Sequence, residues 1–413
     1  MRSLSLLFAA TAALPAVLAA AISSLSERAL NTPFVATKQW IQDSTGKNFT
    51  YVGVNWPGAA DVMIPEGLQY ASIASIVSKV KSLKMNVVRL TFAIEMIDNI
   101  KDNGGDVTIQ NAFNKALGTT NGPKTYQQVI KNNPQFNEKT TRLQVFDAVA
   151  AELDKQGIYI HLDNHMSKGA WCCGSGDGNT WFGDTYFNAN NWKRGLQYMV
   201  DHGKSWPNLV SIGLRNEFRS GAKNGLPYNW ATWYDQVISA MDLVYKANSN
   251  LLIFLSGLDY DTKLEPIATG ADLGSGKKFL LSNFKYANKL VLELHNYQND
   301  ATDCGSMESG LWNNGFRATG TKAANMMPVV LTEFGFSQAG NDYTKTYATC
   351  IKKLMPQWKT GWTVWVLSGS YYIRSGTQDY EETWGLLNHD WSAWRNTAAI
   401  SALQGMIDAS LKG

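Results

Sequence analysis

The chain has no excess of one charge. Its 37 Lys and Arg residues face 34 Asp and Glu, a formal net of +3. That near balance gives no electrostatic case for nucleic acid or an anionic membrane as a partner. Past the N-terminus, no segment offers the ~18 uninterrupted apolar residues that a membrane span needs. No Ser/Thr/Pro linker and no repeat divides the 413 residues, so no appended binding module is expected. No G-x-G-x-x-G turn follows the first candidate strand, which weakens an open nucleotide-binding sheet. Cysteines number only four, Cys172, Cys173, Cys304 and Cys350, and three pairings of them are possible.

What is present begins with a targeting signal. Met1-Arg2 precedes an apolar run from about Leu4 to Ala21 that ends in small residues. This predicts a secretory signal peptide over residues 1–21, cleaved near Ala19 to Ala21, and a secreted, extracellular protein. Residues 22–33 read as an N-terminal tail and 34–413 as one domain, expected to be monomeric. In an exported protein the cysteines are expected to be oxidised; an adjacent Cys172–Cys173 bridge is possible but strained. Asn48-Phe-Thr50 is a glycosylation sequon. The 15 Trp and 17 Tyr exceed ordinary core needs. Aromatic faces with polar tips suit sugar rings, whose C–H faces stack on them while the rim hydroxyls need hydrogen bonds.

Short β-branched runs alternate with segments of helical spacing. The strands predicted are Phe49–Trp56, Asn86–Phe92, Ile158–His165, Leu209–Phe218, Leu251–Leu255, Lys289–Tyr297, Pro328–Gly335 and Gly361–Leu367. Helices are predicted at Tyr70–Lys84, Arg142–Lys155, Asn191–Ser205, Trp230–Ala247, Asn313–Met326, Tyr343–Met355 and Ser392–Ile407. Alternation implies a parallel sheet, and eight strands suggest an α/β fold closed as a (β/α)8 TIM barrel. Polar side chains gather at the C-terminal strand ends, where barrel enzymes build their sites. The polar stretch Asp98–Thr140 reads as a long loop walling the cleft.

Two glutamates end such runs: Glu217 on the fourth strand and Glu333 on the seventh. A carboxylate there escapes the full cost of burial only in a solvated cleft or beside a partner. Acidic residues also end strands as caps of the following helix, though two at once make that weaker. Two carboxylates from different strands are the minimum machinery for cleaving a glycosidic bond. Arg89, His165, His295, Tyr297 and Trp365 sit at other strand ends, and Asn216 stands beside Glu217. Three have a structural alternative: Arg89 as a barrel ion pair, Tyr297 as a core tyrosine, Trp365 as barrel-end packing. Trp171 and Trp181, on the long third loop, are expected to face the cleft.

Arg89 in Val-Val-Arg-Leu, His165 in Asp-Asn-His, Asn216-Glu217, His295-x-Tyr297, Glu333 in Thr-Glu-Phe-Gly and Trp365 follow one another on successive strands. In that order the chain resembles glycoside hydrolase family 5, retaining β-glycanases of the 4/7 type, over essentially the whole mature length. The Trp171–Asp184 loop and the Asp98–Thr140 insertion are not general features of that family and leave the substrate open. The resemblance implies that Glu333 is the nucleophile, held ionised by Tyr297 and Arg89. It implies that Glu217 is the acid/base, its pKa raised by anionic Glu333. Asn216 would bind the sugar 2-hydroxyl, His295 and His165 would orient carboxylates and hydroxyls, and Trp365 would form the platform under the sugar. The two carboxyl groups are expected about 5–5.5 Å apart, the retaining spacing. No cofactor and no metal are implied. The expected activity is endo-β-1,4-glucanase (a cellulase) in polysaccharide degradation, with β-mannan, other β-glucans and β-galactan as further substrates. The extended third and eighth loops (Trp171–Asp184; Ser368–Leu387) favour exo-action if they close one end of the cleft.

Two readings of other classes compete. His161, Asp163 and His165 alternate on one strand, as in metal-dependent barrel hydrolases, but no Asp ends the eighth strand. A non-catalytic carbohydrate-binding barrel is expected to lack one carboxylate, and both are present.

Overall fold

The computed structural model describes residues 31–412. The predicted signal peptide (1–21) and the tail as far as residue 30 lie outside the described residues. The chain starts with a small antiparallel hairpin, β1 (Val35–Thr37) and β2 (Trp40–Gln42). Phe34 and Ile41 pack on Tyr51, Val87, Tyr159 and Val210 near the starts of the barrel strands, closing the barrel's N-terminal end.

The barrel strands are β3 (Val52–Trp56), β4 (Val87–Ala93), β5 (Tyr159–Met166), β6 (Leu209–Gly213), β7 (Leu252–Leu255), β8 (Leu290–Asn296), β9 (Val329–Phe334) and β10 (Gly361–Val364). Each pairs in parallel with its neighbour, and β10 closes on β3. Every residue of these strands is buried. That explains why apolar and β-branched residues dominate them, since a parallel strand covered on both faces has no solvent side; residues such as Asn55, Arg89, His161, Asp163 and Glu293 are buried polar groups among them. The register sets Arg89 opposite His161, Asp163 opposite Gly213, and His295 opposite Glu333. The predicted TIM barrel is therefore the fold.

The helices are α1 (Ile73–Ser82), α2 (Ile94–Asp102), α3 (Ile109–Asn132), α4 (Arg142–Lys155), α5 (Ala189–His202), α6 (Trp230–Ala247), α7 (Glu265–Thr269), α8 (Cys304–Asn314), α9 (Thr346–Trp358) and α10 (Thr397–Ser410). After β10 comes a second hairpin, β11 (Ser370–Arg374) and β12 (Thr377–Glu381). Among the described residues no helix is long and apolar enough to cross a membrane.

Two expectations are corrected. The helix predicted at Asn313–Met326 lies earlier, as α8. Asp303 caps it by accepting the N–H groups of Gly305 and Ser306, and Gly315 follows its end. The supposed loop Asp98–Thr140 is largely helical. Ile109, Phe113, Leu117, Tyr126 and Val129 bury one face of α3, which kinks at Gly118, where φ is +78°. This insertion buttresses the second hairpin: Asn121 Nδ2 donates to Gln378 Oε1 at 2.5 Å, and Gln378 Nε2 to the Leu117 carbonyl at 3.1 Å. It contributes no side chain to the cavity described next. Of the three cysteine pairings, the structure holds Cys172–Cys173 and Cys304–Cys350, the latter joining α8 to α9.

Candidate active site

Arg89, on β4 and fully buried, organises the C-terminal mouth of the barrel. Its Nη1 donates to Glu333 Oε1 at 2.6 Å and to Asn55 Oδ1 at 2.8 Å. Its Nη2 donates to Asn216 Oδ1 at 2.9 Å and lies 3.0 Å from Asp163 Oδ1. Tyr297 Oη donates to the other oxygen of Glu333 at 2.8 Å. Glu333 thus meets a full positive charge and a hydroxyl, one on each oxygen.

Glu217 follows β6 in a left-handed conformation, φ +48°. Its N–H donates to Asp261 Oδ2 at 2.9 Å, and its carbonyl accepts from Arg219 Nη1 at 2.8 Å. His295 bridges the two glutamates: Nδ1 lies 3.0 Å from Glu217 Oε1 and 3.7 Å from Glu333 Oε2. An oxygen of Glu217 and an oxygen of Glu333 come within 4.8 Å of one another. That approach fits the retaining spacing of about 5–5.5 Å better than the inverting one of about 6.5–9.5 Å.

Glu217, Glu333, His165, Asn216, Tyr297, Trp365 and Trp171 line one cavity of about 340 Å³, within the range of about 300–1,000 Å³ usual for ligand pockets. Arg89 and His295 are buried and meet the cavity through Glu333 and Glu217. Trp365 stacks on His165, with rings 5.6 Å apart and nearly parallel, and Trp171 stands edge-on to Trp365 at 6.2 Å. Trp181 departs from expectation. It is 1% exposed, packed on Phe218 and Tyr228, and its N–H donates to the Pro227 carbonyl. The second half of the third loop turns down onto the segment after β6, so this tryptophan serves the core.

Other groups in the cavity had no strand-end position to mark them. Arg374, Tyr380, Glu382 and Trp384 come from the second hairpin and its exit. Glu382 pairs with Arg374 at 2.7 Å and accepts the Trp384 N–H at 2.9 Å. The guanidinium of Arg374 lies 3.7 Å from the Trp171 ring centre, a cation–π contact. Asp261 was also missed, because it sits in irregular chain after β7.

Burial pushes Glu217 up to about 7. Arg219, His165 and Arg89 oppose the rise, and Asp163 adds to it. Desolvation, then, and not the expected repulsion from Glu333, is the main cause. Burial likewise raises Glu293 to about 8 and Asp261 well above the carboxylate range, and lowers His295 to about 4. Burial would raise Asp163 too, but Arg89 and then His165 outweigh it and hold it down.

The His161–Asp163–His165 run does not converge as a metal site. His161 Nδ1 pairs with Ser211 Oγ at 2.8 Å, and Asp163 is engaged by His165 and Arg89. Among the described residues, the groupings with ligand-like spacing are Glu217–His295–Glu333 and Cys172–Cys173–Glu217. In the first, Arg89 already supplies the positive charge.

The family model described as Cellulase (glycosyl hydrolase family 5) matches residues 42–370. The chain belongs to glycoside hydrolase family 5. Consistent with family 5 membership, it is 33% identical over 386 residues to a glycosyl hydrolase 5 family protein of Chamaecyparis obtusa, covering 90% of this chain and 65% of that one. It is 23% identical over 269 residues to the major extracellular endoglucanase of Xanthomonas campestris pv. campestris, covering 62% and 51%. The chain thus spans between half and two thirds of the length of these relatives. An endocellulase of Pyrococcus horikoshii, solved with cellotetraose, superposes with a TM-score of 0.66 at 15% identity, covering 92% of this chain and 99% of that one. That likeness is one of fold.

Proposed function

We propose that this family 5 protein is a retaining β-glycoside hydrolase acting by double displacement. The observation that carries the reading is the approach of the Glu217 and Glu333 oxygens within 4.8 Å across one open cavity. Glu333 attacks the anomeric carbon while Glu217 protonates the leaving oxygen, giving a glycosyl ester and a free alcohol. Water then attacks the ester, giving its proton to Glu217, and the sugar leaves with its original anomeric configuration.

Each role has its support. Arg89 and Tyr297 each donate to one oxygen of Glu333 and present it fixed. Burial lets Glu217 start protonated near neutral pH. Asn216, its Oδ1 held by Arg89, lines the cavity with its amide nitrogen 3.5 Å from the Cys172 and Cys173 sulfurs and is the group we assign to the sugar 2-hydroxyl. Trp365, with Trp171 and Trp384, offers aromatic faces to the ring.

For substrate we propose β-1,4-glucan, attacked internally. The family description and the endoglucanase name of the Xanthomonas campestris relative support this choice. One observation favours exo-action instead: Arg374, Tyr380 and Glu382 of the second hairpin enter the cavity from one side. Product analysis on cello-oligosaccharides of increasing length decides. Internal cuts support the first reading; one short product from one end supports the second. The reading includes export, supported by the apolar N-terminal run and two disulfides.

A further inference from the structure

The third loop brings two adjacent, disulfide-bonded cysteines into the cavity that holds both glutamates. A disulfide usually stabilises by closing a loop in the unfolded chain, and more so for longer loops. Cys304–Cys350, with a sequence separation of 46, fits that role; Cys172–Cys173, with a separation of one, closes nothing beyond its own peptide. Its place calls for another explanation.

The bridge is held firmly where it is. On one side Trp171 lies under the Arg374 guanidinium and edge-on to Tyr371 at 5.0 Å. On the other, Arg219 donates to the Gly174 carbonyl at 3.0 Å and pairs with Asp177 at 2.5 Å. Arg219 also donates to the Glu217 carbonyl, so one side chain ties the acid/base segment to the cysteine loop. Both cysteines are half-buried. Asn216 Nδ2 lies 3.5 Å from each sulfur, and a Glu217 oxygen lies within 4.8 Å of both.

Resting on the proposed hydrolase reading, we infer that the Cys172–Cys173 disulfide is a wall of the substrate site, packing against the sugar ring beside its 2-hydroxyl and setting the preference at that carbon. The chemistry suits the task. Disulfide sulfur is polarisable and weakly accepting, so it offers dispersion to a C–H face and little competition for hydroxyl protons. Its neighbour Asn216 is the group proposed to take the 2-hydroxyl. The amide and the two sulfurs adjoin, so an equatorial and an axial hydroxyl at that carbon differ in their reach to the Asn216 amide and in their packing on sulfur.

The test compares gluco- and manno-configured aryl β-glycosides and short β-glucans on the wild type and on Cys172→Ser/Cys173→Ser. The expected result is a KM higher by about tenfold, as for loss of one group from a sugar-sized pocket, and an altered gluco-to-manno ratio of kcat/KM. If that variant folds poorly, a Cys304→Ser/Cys350→Ser protein isolates the remaining bridge. A small dithiol reduces it by exchange, leaving two protein thiols and a cyclic reagent disulfide; reoxidation must then restore the original KM. Unchanged KM and unchanged epimer ratio in an active enzyme overturn the inference. Absence of turnover by the wild type on every β-glycoside would instead strike the hydrolase reading. Cello-oligosaccharide binding, read by tryptophan fluorescence on oxidised and reduced protein, then still decides the wall: equal affinity refutes it.

Discussion

The backbone N–H of Glu217 donates to the carboxyl of Asp261 at 2.9 Å. Both residues adopt left-handed backbone, φ +48° and +59°, a conformation that costs a side chain of this kind free energy and persists only where surroundings enforce it. Asp261 is fully buried. Its carbonyl also accepts the N–H of His295, the residue that touches both glutamates. Asp261→Ala should therefore leave the Glu217 N–H without a partner and cost ~1–3 kcal/mol of stability. It should also lower kcat with natural substrates more than with activated aryl glycosides. Asp261→Asn, which keeps an acceptor oxygen, should stay near wild type. Equal kinetics and urea midpoints for the alanine variant and the wild type would refute this.

Tyr297→Phe removes one donor to Glu333 without opening a large cavity. A hydrogen bond to a charged group contributes ~1.5–3 kcal/mol, so kcat/KM should fall about 10–100-fold. The melting temperature should change little. A drop in melting temperature with unchanged kcat/KM would make Tyr297 a core residue only.

The pH dependence follows from Glu217, raised by burial to about 7. As the required acid it should be lost as pH rises through that value, so kcat/KM should decline on the alkaline side. Stability moves in the same direction. The folded state holds a proton that the unfolded chain releases near 4.5, so this contribution is complete below that pH and is lost as pH rises through about 7. The difference at pH 8 amounts to ~3 kcal/mol. Glu217→Gln should then melt higher than wild type at pH 8, with the gain fading toward pH 4. A gain independent of pH would place the effect elsewhere.

The two tryptophans of the third loop should behave oppositely. Trp181→Ala opens a hole in packed core and should cost ~3–5 kcal/mol of stability. Trp171→Ala should cost less stability and raise KM, because Trp171 lines the cavity. Urea unfolding together with Michaelis kinetics separates the cases; a large KM effect from Trp181 with intact stability would reverse the assignment.

The sequence carried the barrel because a parallel strand buried on both faces is written as a run dominated by apolar and β-branched residues. It carried α4 and α6 because Thr141 with Gln144, and Asn229, mark where those helices start. The insertion before α4 is hidden in the sequence for the opposite reason: Asn and Gly on its solvent face mask the buried spacing from Ile109 to Val129. Within the site, Arg89, Asn216, His295 and Tyr297 were legible because barrel geometry aims strand-end side chains at one mouth. Trp181 was not, since a loop's turn decides whether its aromatics face sugar or core. Arg374, Glu382 and Asp261 depend on a hairpin and a left-handed turn that no strand periodicity announces.

The central claim is that Glu333 and Glu217 act by double displacement. The most direct test follows, by proton NMR, the anomer first released from an aryl or oligomeric β-glycoside. The account predicts that the β-anomer appears first and the α-anomer grows only by mutarotation. An α-anomer present from the earliest spectra would contradict it.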